Sequence, residues 1–334
     1  MKKYSFYIGI DISKLKLDVN IFNSQNNSHQ HLVIENNPKE IKNLIKTLKS
    51  NKLDLSQTLF CCENTGIYTN LISSFLTELN LDLWVVPAIE IKKSKGISRG
   101  KSDKSDAKDI ALYSFRNLDK LNLFALNHID IQKLKLLHTE REKILKSILA
   151  LNTTKENEHY TPKSIYKEVE KINKKAVDSL KKILVDIEKR IHNIIKNNEE
   201  LCKKSELIQS IPGIGQQTAV YLLIATKGFS AFDNGRKFAC YSGIAPFEYS
   251  SGSSIRGRTK VNHFADKKMK SLLQMCALTA VKYDPQIKEY YHKKKTEGKN
   301  SMLILNNIRC KLINRVFAVI KRKTPFINTY KFAG

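Results

Sequence analysis

The chain has 334 residues and six cysteines (61, 62, 202, 240, 276 and 310), yet no Cys-x-x-Cys pair. That excludes a zinc knuckle or a dithiol redox motif, and the adjoining Cys61 and Cys62, inside an apolar run, read as reduced core residues. No apolar stretch approaches the ~18–20 residues of a membrane span. The start, Met1-Lys2-Lys3-Tyr4-Ser5-Phe6, has neither a long apolar core nor a small-residue cleavage site, so a soluble, cytoplasmic protein with no membrane partner is expected. Glycine is absent between Gly100 and Gly213, and Pro162 is the only proline there before Pro212, which leaves room for long helices. Negative charge is also in short supply. There are 32 Asp+Glu against 58 Lys+Arg, a net charge of +26. So basic a chain suits a polyanion, although an excess of Lys from codon bias would produce the same number. Arginine is scarce, at positions 99, 116, 141, 190, 236, 256, 258, 309, 315 and 322. Hydrophobic residues at 41% and charged residues at 27% exclude wholesale disorder.

Three regions follow from the patterning, and the expected fold class is α/β plus α. Residues 1–128 read as a mixed-sheet domain. Tyr4–Asp11 is a buried strand, Leu15–Ile21 alternates apolar with polar, and His31–Ile34 is a third strand. Pro38 opens an amphipathic helix through Ile41, Leu44, Ile45 and Leu48. Leu59–Glu63 is a short buried strand, a helix carries Leu71, Ile72, Phe75, Leu76 and Leu79, and Leu81–Val86 is the last strand. Residues 129–205 read as a Lys-rich coiled coil. Leu134, Leu137, Arg141, Ile144, Ile148 and Leu151 keep alternating spacings of 3 and 4; Thr161-Pro162 breaks the seam. Ile165, Val169, Ile172 and Ala176 resume it, and Leu180, Leu184, Ile187, Ile191 and Ile194 continue it after a shift. Such helices form an antiparallel hairpin or an intermolecular coil, and their Lys-rich outer faces can also lie along a nucleic-acid backbone. Residues 206–334 read as mostly helical. Helices are expected over Met269–Val281, Pro285–Lys295 and Met302–Ile320, with a Ser/Gly-rich loop over Tyr249–Thr259.

Four carboxylates stand out. Asp11 and Glu63 end strands, and Asp103 and Asp106 share one face at the start of a helix. Singly, each has a plain explanation: a turn cap at Asp11 or Glu63, or a helix-start charge at Asp103 and Asp106. Together they would repel one another without a cation between them. An all-oxygen site suits Mg²⁺ or Mn²⁺, and phosphate esters are natural substrates of those metals.

Two further segments address phosphate. Ser210-Ile211-Pro212-Gly213-Ile214-Gly215 before an apolar helix reads as a helix-hairpin-helix, in which Gly213 and Gly215 let backbone N–H groups approach a phosphate; an ordinary Gly-rich turn has the same composition. Phe247–Lys260 holds Ser250, Ser251, Ser253 and Ser254 beside Arg256, Arg258 and Lys260. From composition alone it is a phosphate-binding loop without chemistry.

The blocks Ile8-Gly9-Ile10-Asp11-Ile12-Ser13-Lys14, Glu63-Asn64-Thr65-Gly66-Ile67-Tyr68 and Lys101-Ser102-Asp103-Lys104-Ser105-Asp106-Ala107 resemble the acidic blocks of DEDD insertion-sequence transposases. The likeness continues through the coiled coil to Ile211–Gly215 and Tyr249–Arg258. It implies an N-terminal RuvC-like, RNase H-type domain in which Asp11, Glu63, Asp103 and Asp106 bind metal. It also implies a C-terminal transposase domain. There the family's Gly-x-x-Pro turn and Tyr-x-Ser-Gly pattern match Gly243-Ile244-Ala245-Pro246 and Tyr249-Ser250-Ser251-Gly252, which makes Ser251 the nucleophile, with Ser250, Ser253 and Ser254 as neighbouring candidates. Where many relatives carry Gly after the Lys, this chain reads Thr259-Lys260-Val261-Asn262-His263. The resemblance further implies a guide non-coding RNA, target and donor DNA as partners, composite sites shared between subunits of a homodimer, and a tetramer in synapsis. The alternatives are a RuvC-like nuclease or junction resolvase that uses water, and a nucleic-acid-binding protein without catalysis.

Overall fold

A computed structural model describes residues 4–94, 102–124, 129–152, 160–251, 255–261 and 265–328; side chains are described for these residues except 248–251, 255, 256 and 258–260. The chain divides into two units, 1–126 and 127–334.

In the first unit β1 (Phe6–Ile12), β2 (Lys16–Asn23), β3 (Ser28–Glu35), β4 (Thr58–Glu63) and β5 (Leu83–Val86) form one mixed sheet in the order β3-β2-β1-β4-β5. The first three strands meander antiparallel, and β4 and β5 run parallel to β1. The expected mixed sheet is therefore present, with β3 longer than the sequence pattern marked. Strand alternation sorts the side chains onto two buried faces. Ile8, Ile10, Val19, Ile21, Phe60 and Cys62 pack with Ile41, Leu44, Ile72 and Leu76 from α1 (Pro38–Ser50) and α2 (Thr69–Glu78). Tyr7, Phe22, Leu59, Cys61 and Trp84 pack on the other face with Ile91 of α3 (Ala88–Ser94) and with Ile110, Ala111 and Tyr113 of α4 (Asp103–Arg116). Both helices that begin a layer are locally specified. Asn37 caps α1 on the Glu40 N–H ahead of Pro38. Ser102 and Ser105 form a reciprocal capping box at α4.

Among its described residues the second unit is helical apart from one hairpin. It holds α5 (Ile129–Asn152), α6 (Lys163–Lys196), α7 (Glu199–Gln209), α8 (Gln216–Ala225), α9 (Gly235–Tyr241), α10 (Lys267–Tyr283), α11 (Pro285–Thr296) and α12 (Ser301–Arg322). Ile131 and Leu134 of α5 and Ile187, Ile191 and Ile195 of α6 join one core with Leu222, Leu223, Leu273, Ile308 and Leu312. The inner ends of the two long helices are thus built into the same body as the C-terminal helices, with Arg141 Nε donating to Glu188 Oε1 at 2.8 Å. The outer seam differs: Ile165, Val169 and Ile172 are 54%, 46% and 61% exposed. The expected serine loop is an antiparallel hairpin, β6 (Pro246–Ser251) with β7 (Ile255–Val261). The cysteines are free. Among the described residues no helix is long and apolar enough to cross a membrane.

Candidate active site

The acidic residues are brought together by the close seating of α4 on the sheet. A Cβ on Gly9 would lie 2.2 Å from the Ala107 carbonyl oxygen and 2.3 Å from the Ala111 nitrogen. Only glycine on β1 and alanines on α4 allow that approach. The helix begins beside the C-terminal end of β1, with Asp103 and Asp106 in its first turn. In the parallel β1–β4 pair Ile10 faces Cys62, so Asp11 and Glu63 follow at the same edge of the sheet. Asp11 is half-buried, and its carboxyl titrates above the ordinary range. Burial is the largest cause, followed by the charges of Asp106, Asp103, Glu63 and Asp18. All four carboxylates singled out in the sequence therefore share one electrostatic neighbourhood.

Three side chains that the sequence did not single out belong to this neighbourhood. Asp18 lies opposite Asp11 in the β1–β2 register and is buried. Its Oδ1 is 3.0 Å from His31 Nε2, and its Oδ2 is 3.1 Å from Lys16 Nζ. The same Lys16 nitrogen donates to Asp103 Oδ2 at 2.7 Å. These contacts raise the Lys16 pKa, the Asp103 bond most. The alternation of Leu15–Ile21 assigned Asp18 and Asn20 to an open face; α4 covers that face instead. The signal that could have found Asp18 is its place opposite Asp11 across a short turn.

Among the described residues no three His, Cys, Asp or Glu side chains close into a cation cage. The donor set nevertheless fits a hard divalent cation in kind. It is all carboxylate oxygen and it repels itself at Asp11.

The glycine turn and the serine segment lie in the second unit. Ser210–Gly215 joins α7 to α8, with Ile211 and Ile214 buried. Gly213 has φ +96°, and a Cβ there would come within 2.8 Å of the Cys276 carbonyl oxygen and 2.9 Å of Ala280 Cβ. Its lack of a side chain thus serves packing against α10. Gly215 caps α8, and a Cβ there would meet nothing within 4 Å. Ser251 is the last residue of β6 and pairs with Ile255, while Ser250 pairs with Arg256 and Phe247 with Lys260. Arg258 lies within β7. Ser253 and Ser254 lie outside the described residues. The hairpin's two ends are tied by the Asp266 N–H donating to the Tyr241 carbonyl at 3.0 Å. Asp266 also accepts the Tyr221 hydroxyl at 2.9 Å and caps α10 through the Met269 N–H. Just before β6, the Ile244 carbonyl accepts from Asn306 Nδ2 at 2.9 Å.

Two family models match this chain. One, described as a DEDD transposase of the IS110 type, matches residues 8–156, and the other, described as transposase IS116/IS110/IS902 family, matches residues 205–292. The chain is 26% identical over 324 residues to the pilin gene-inverting protein of Moraxella bovis, covering 96% of this chain and 97% of that protein. The protein of the same description from Moraxella lacunata matches equally, at 26% over 324 residues. A 43.6 kDa protein of insertion element IS110 from Streptomyces coelicolor is 28% identical over 120 residues, 36% of this chain and 29% of its own.

Proposed function

The chain belongs to the DEDD-type transposases of the IS110 family, enzymes that act on DNA, and from that premise we propose that it is a site-specific recombinase of an insertion sequence, guided by a structured non-coding RNA that pairs with target and donor DNA. The observation that carries the reading is the single electrostatic neighbourhood of Asp11, Asp106, Asp103 and Glu63. On this reading residues 1–128 form an RNase H-type domain, residues 129–205 a coiled coil and residues 206–334 the transposase domain.

Asp11, Glu63, Asp103 and Asp106 would hold Mg²⁺, with Mn²⁺ as a substitute. When bound, the cation supplies Lewis-acid stabilisation of charge on phosphate oxygens. Lys16 and His31 hold Asp103 and Asp18 in place. The Ser251 hydroxyl is the proposed nucleophile. Its oxygen bonds to a DNA phosphorus, the bond from that phosphorus to the leaving strand's oxygen breaks, and the proton lost by the serine is matched by one gained at that oxygen, which leaves as a strand-end hydroxyl. The phosphoserine link conserves the diester for rejoining, when a strand-end hydroxyl attacks it and releases the serine. Arg256, Arg258 and Lys260 would bind flanking phosphates, and Gly213 and Gly215 would present a helix-hairpin-helix turn to the DNA backbone. The Moraxella relatives are named for inverting a pilin gene, which supports a reaction that both cuts and rejoins. The exposed stripe of Ile165, Val169 and Ile172 supports pairing of α6 with a second copy, hence a homodimer, with a tetramer in synapsis. A cytoplasmic location accords with these substrates.

The test is incubation of the full chain with guide RNA, both DNAs and Mg²⁺. A covalent protein–DNA adduct is expected, abolished by Ser251→Ala. Cleavage that leaves no adduct in any variant would transfer the chemistry to metal-activated water, and normal recombination by Asp11→Asn would remove the acidic site from the mechanism.

A further inference from the structure

Beside the acidic cluster, on the side of the edge strand β3, lies a cavity of about 410 Å³ whose lining, among the described residues, holds no carboxylate. Asn20, His29 and His31 of β2 and β3 form one wall, and Lys104, Ser105 and Lys108 of α4 form the other. Lys104 and Lys108 are four residues apart and share a helix face. Both are exposed. Among the described residues neither of these lysines has an acidic partner, although other lysines and arginines of the chain do.

The imidazoles are held rigidly. His29 Nδ1 is 3.0 Å from Asn20 Oδ1, and the ring stacks on Phe22 at 4.7 Å. His31 Nε2 engages Asp18 at 3.0 Å. Each ring thus commits one nitrogen to the protein and, among the described residues, keeps the other without a partner. Lys108 further disfavours a second positive charge on His29, whose pKa is lowered by burial first and by that lysine second. A groove that sets two lysine ammonium groups opposite two imidazoles, with hydroxyl and amide groups interspersed, suits an anion that spreads its charge over several oxygens.

We propose that this groove is a phosphodiester-backbone site that seats a nucleic-acid strand alongside the acidic cluster. Lys104 adjoins Asp103 in the chain and Ser105 adjoins Asp106, so a strand held by the lysines runs directly past the carboxylates. The inference rests on the recombinase reading for its ligand class, but it concerns binding and not the chemical step.

The test measures binding of the full chain, in EDTA, to duplex DNA, single-stranded DNA and RNA oligonucleotides across a salt series. The Lys104→Ala/Lys108→Ala chain is compared with a Lys39→Ala/Lys42→Ala control on α1, which covers the opposite sheet face. All four lysines are exposed, so both chains should melt like the wild type. The groove variant is expected to lose about 1.8 from the log–log salt slope on duplex DNA, or about 1.4 on a single strand, with the control unchanged. The oligonucleotide that shows the loss identifies the strand. An unchanged slope on all three, or an equal loss in the control, would overturn the proposal. Asp11→Asn, run in parallel, separates the two readings: recombination by that variant would count against the catalytic reading, while the lysine slopes alone decide the groove.

Discussion

Gly9 governs the geometry of the acidic site more directly than any carboxylate does. It admits the backbone of α4 to van der Waals contact with β1, and α4 carries Asp103 and Asp106 to Asp11. A methyl at this position meets backbone atoms, which cannot rotate aside. Gly9→Ala is expected to cost about 3 kcal/mol or more in thermal unfolding and to abolish recombination even in the fraction that folds. A variant that melts and recombines normally would mean that α4 sits farther from the sheet. Asp11 makes a second, signed prediction. Its pKa is raised in the folded chain by burial and by Asp106, Asp103, Glu63 and Asp18. The folded state therefore keeps the Asp11 proton to higher pH than the unfolded state does. Stability falls as pH rises between the two pKa values, and the full penalty persists above the folded one. Metal-free Asp11→Asn should accordingly melt above the wild type at pH 7, with the gap closing as pH falls into the ordinary carboxylate range. Mn²⁺ should raise the wild-type melting temperature and leave the variant's nearly unchanged.

At the scale of elements, the two glycines of the α7–α8 turn separate structure from contact. Gly213 combines positive φ with a Cβ clash against α10, whereas Gly215 is an open N-cap. Gly213→Ala is expected to cost about 2 kcal/mol. Gly215→Ala should cost under about 1 kcal/mol, the difference between Gly and Ala at an N-cap, yet lower DNA affinity by placing a methyl where a phosphate approaches. Equal DNA binding by wild type and Gly215→Ala would reduce the turn to packing. The sequence made this region partly legible: the Gly spacing marked the turn but could not divide the two roles, because α10 lies some sixty residues away. The same limit explains other gains and misses. The first-unit sheet was readable because its strands alternate and end at turn residues, and α10, α11 and α12 because their apolar residues recur at helical spacing. The β6–β7 hairpin was not, since Ser, Gly and Arg supply little of the β-branched and aromatic composition that marks a strand. The four acids were legible because each ends or begins an element. Lys16, Asp18 and His31 were not, because their roles depend on which sheet face α4 covers.

For the molecule as a whole, the proposed chemistry is divided between two units. The carboxylates belong to 1–126 and the serine hairpin to 127–334. On the proposed dimer, the exposed apolar stripe of Ile165, Val169 and Ile172 would be where a second copy pairs. If each working site takes its acids from one subunit and its serine from the other, the two halves of the chemistry can be complemented. Asp11→Asn and Ser251→Ala homodimers should then each be inactive. In a mixed dimer the acids of the Ser251→Ala subunit meet the serine of the Asp11→Asn subunit, so one site is whole and the other lacks both functions. Random exchange gives half mixed dimers with half of their sites intact, so adduct formation should return to about a quarter of the wild-type level. Sites built within one subunit would leave every site in the mixture defective, and no adduct above the single-variant background would then appear. Lysines substituted at positions 165, 169 and 172 of both chains should block the rescue while leaving each chain folded, because those side chains are exposed in a single copy. Rescue that persists in the lysine variants would assign the pairing surface to another part of the molecule.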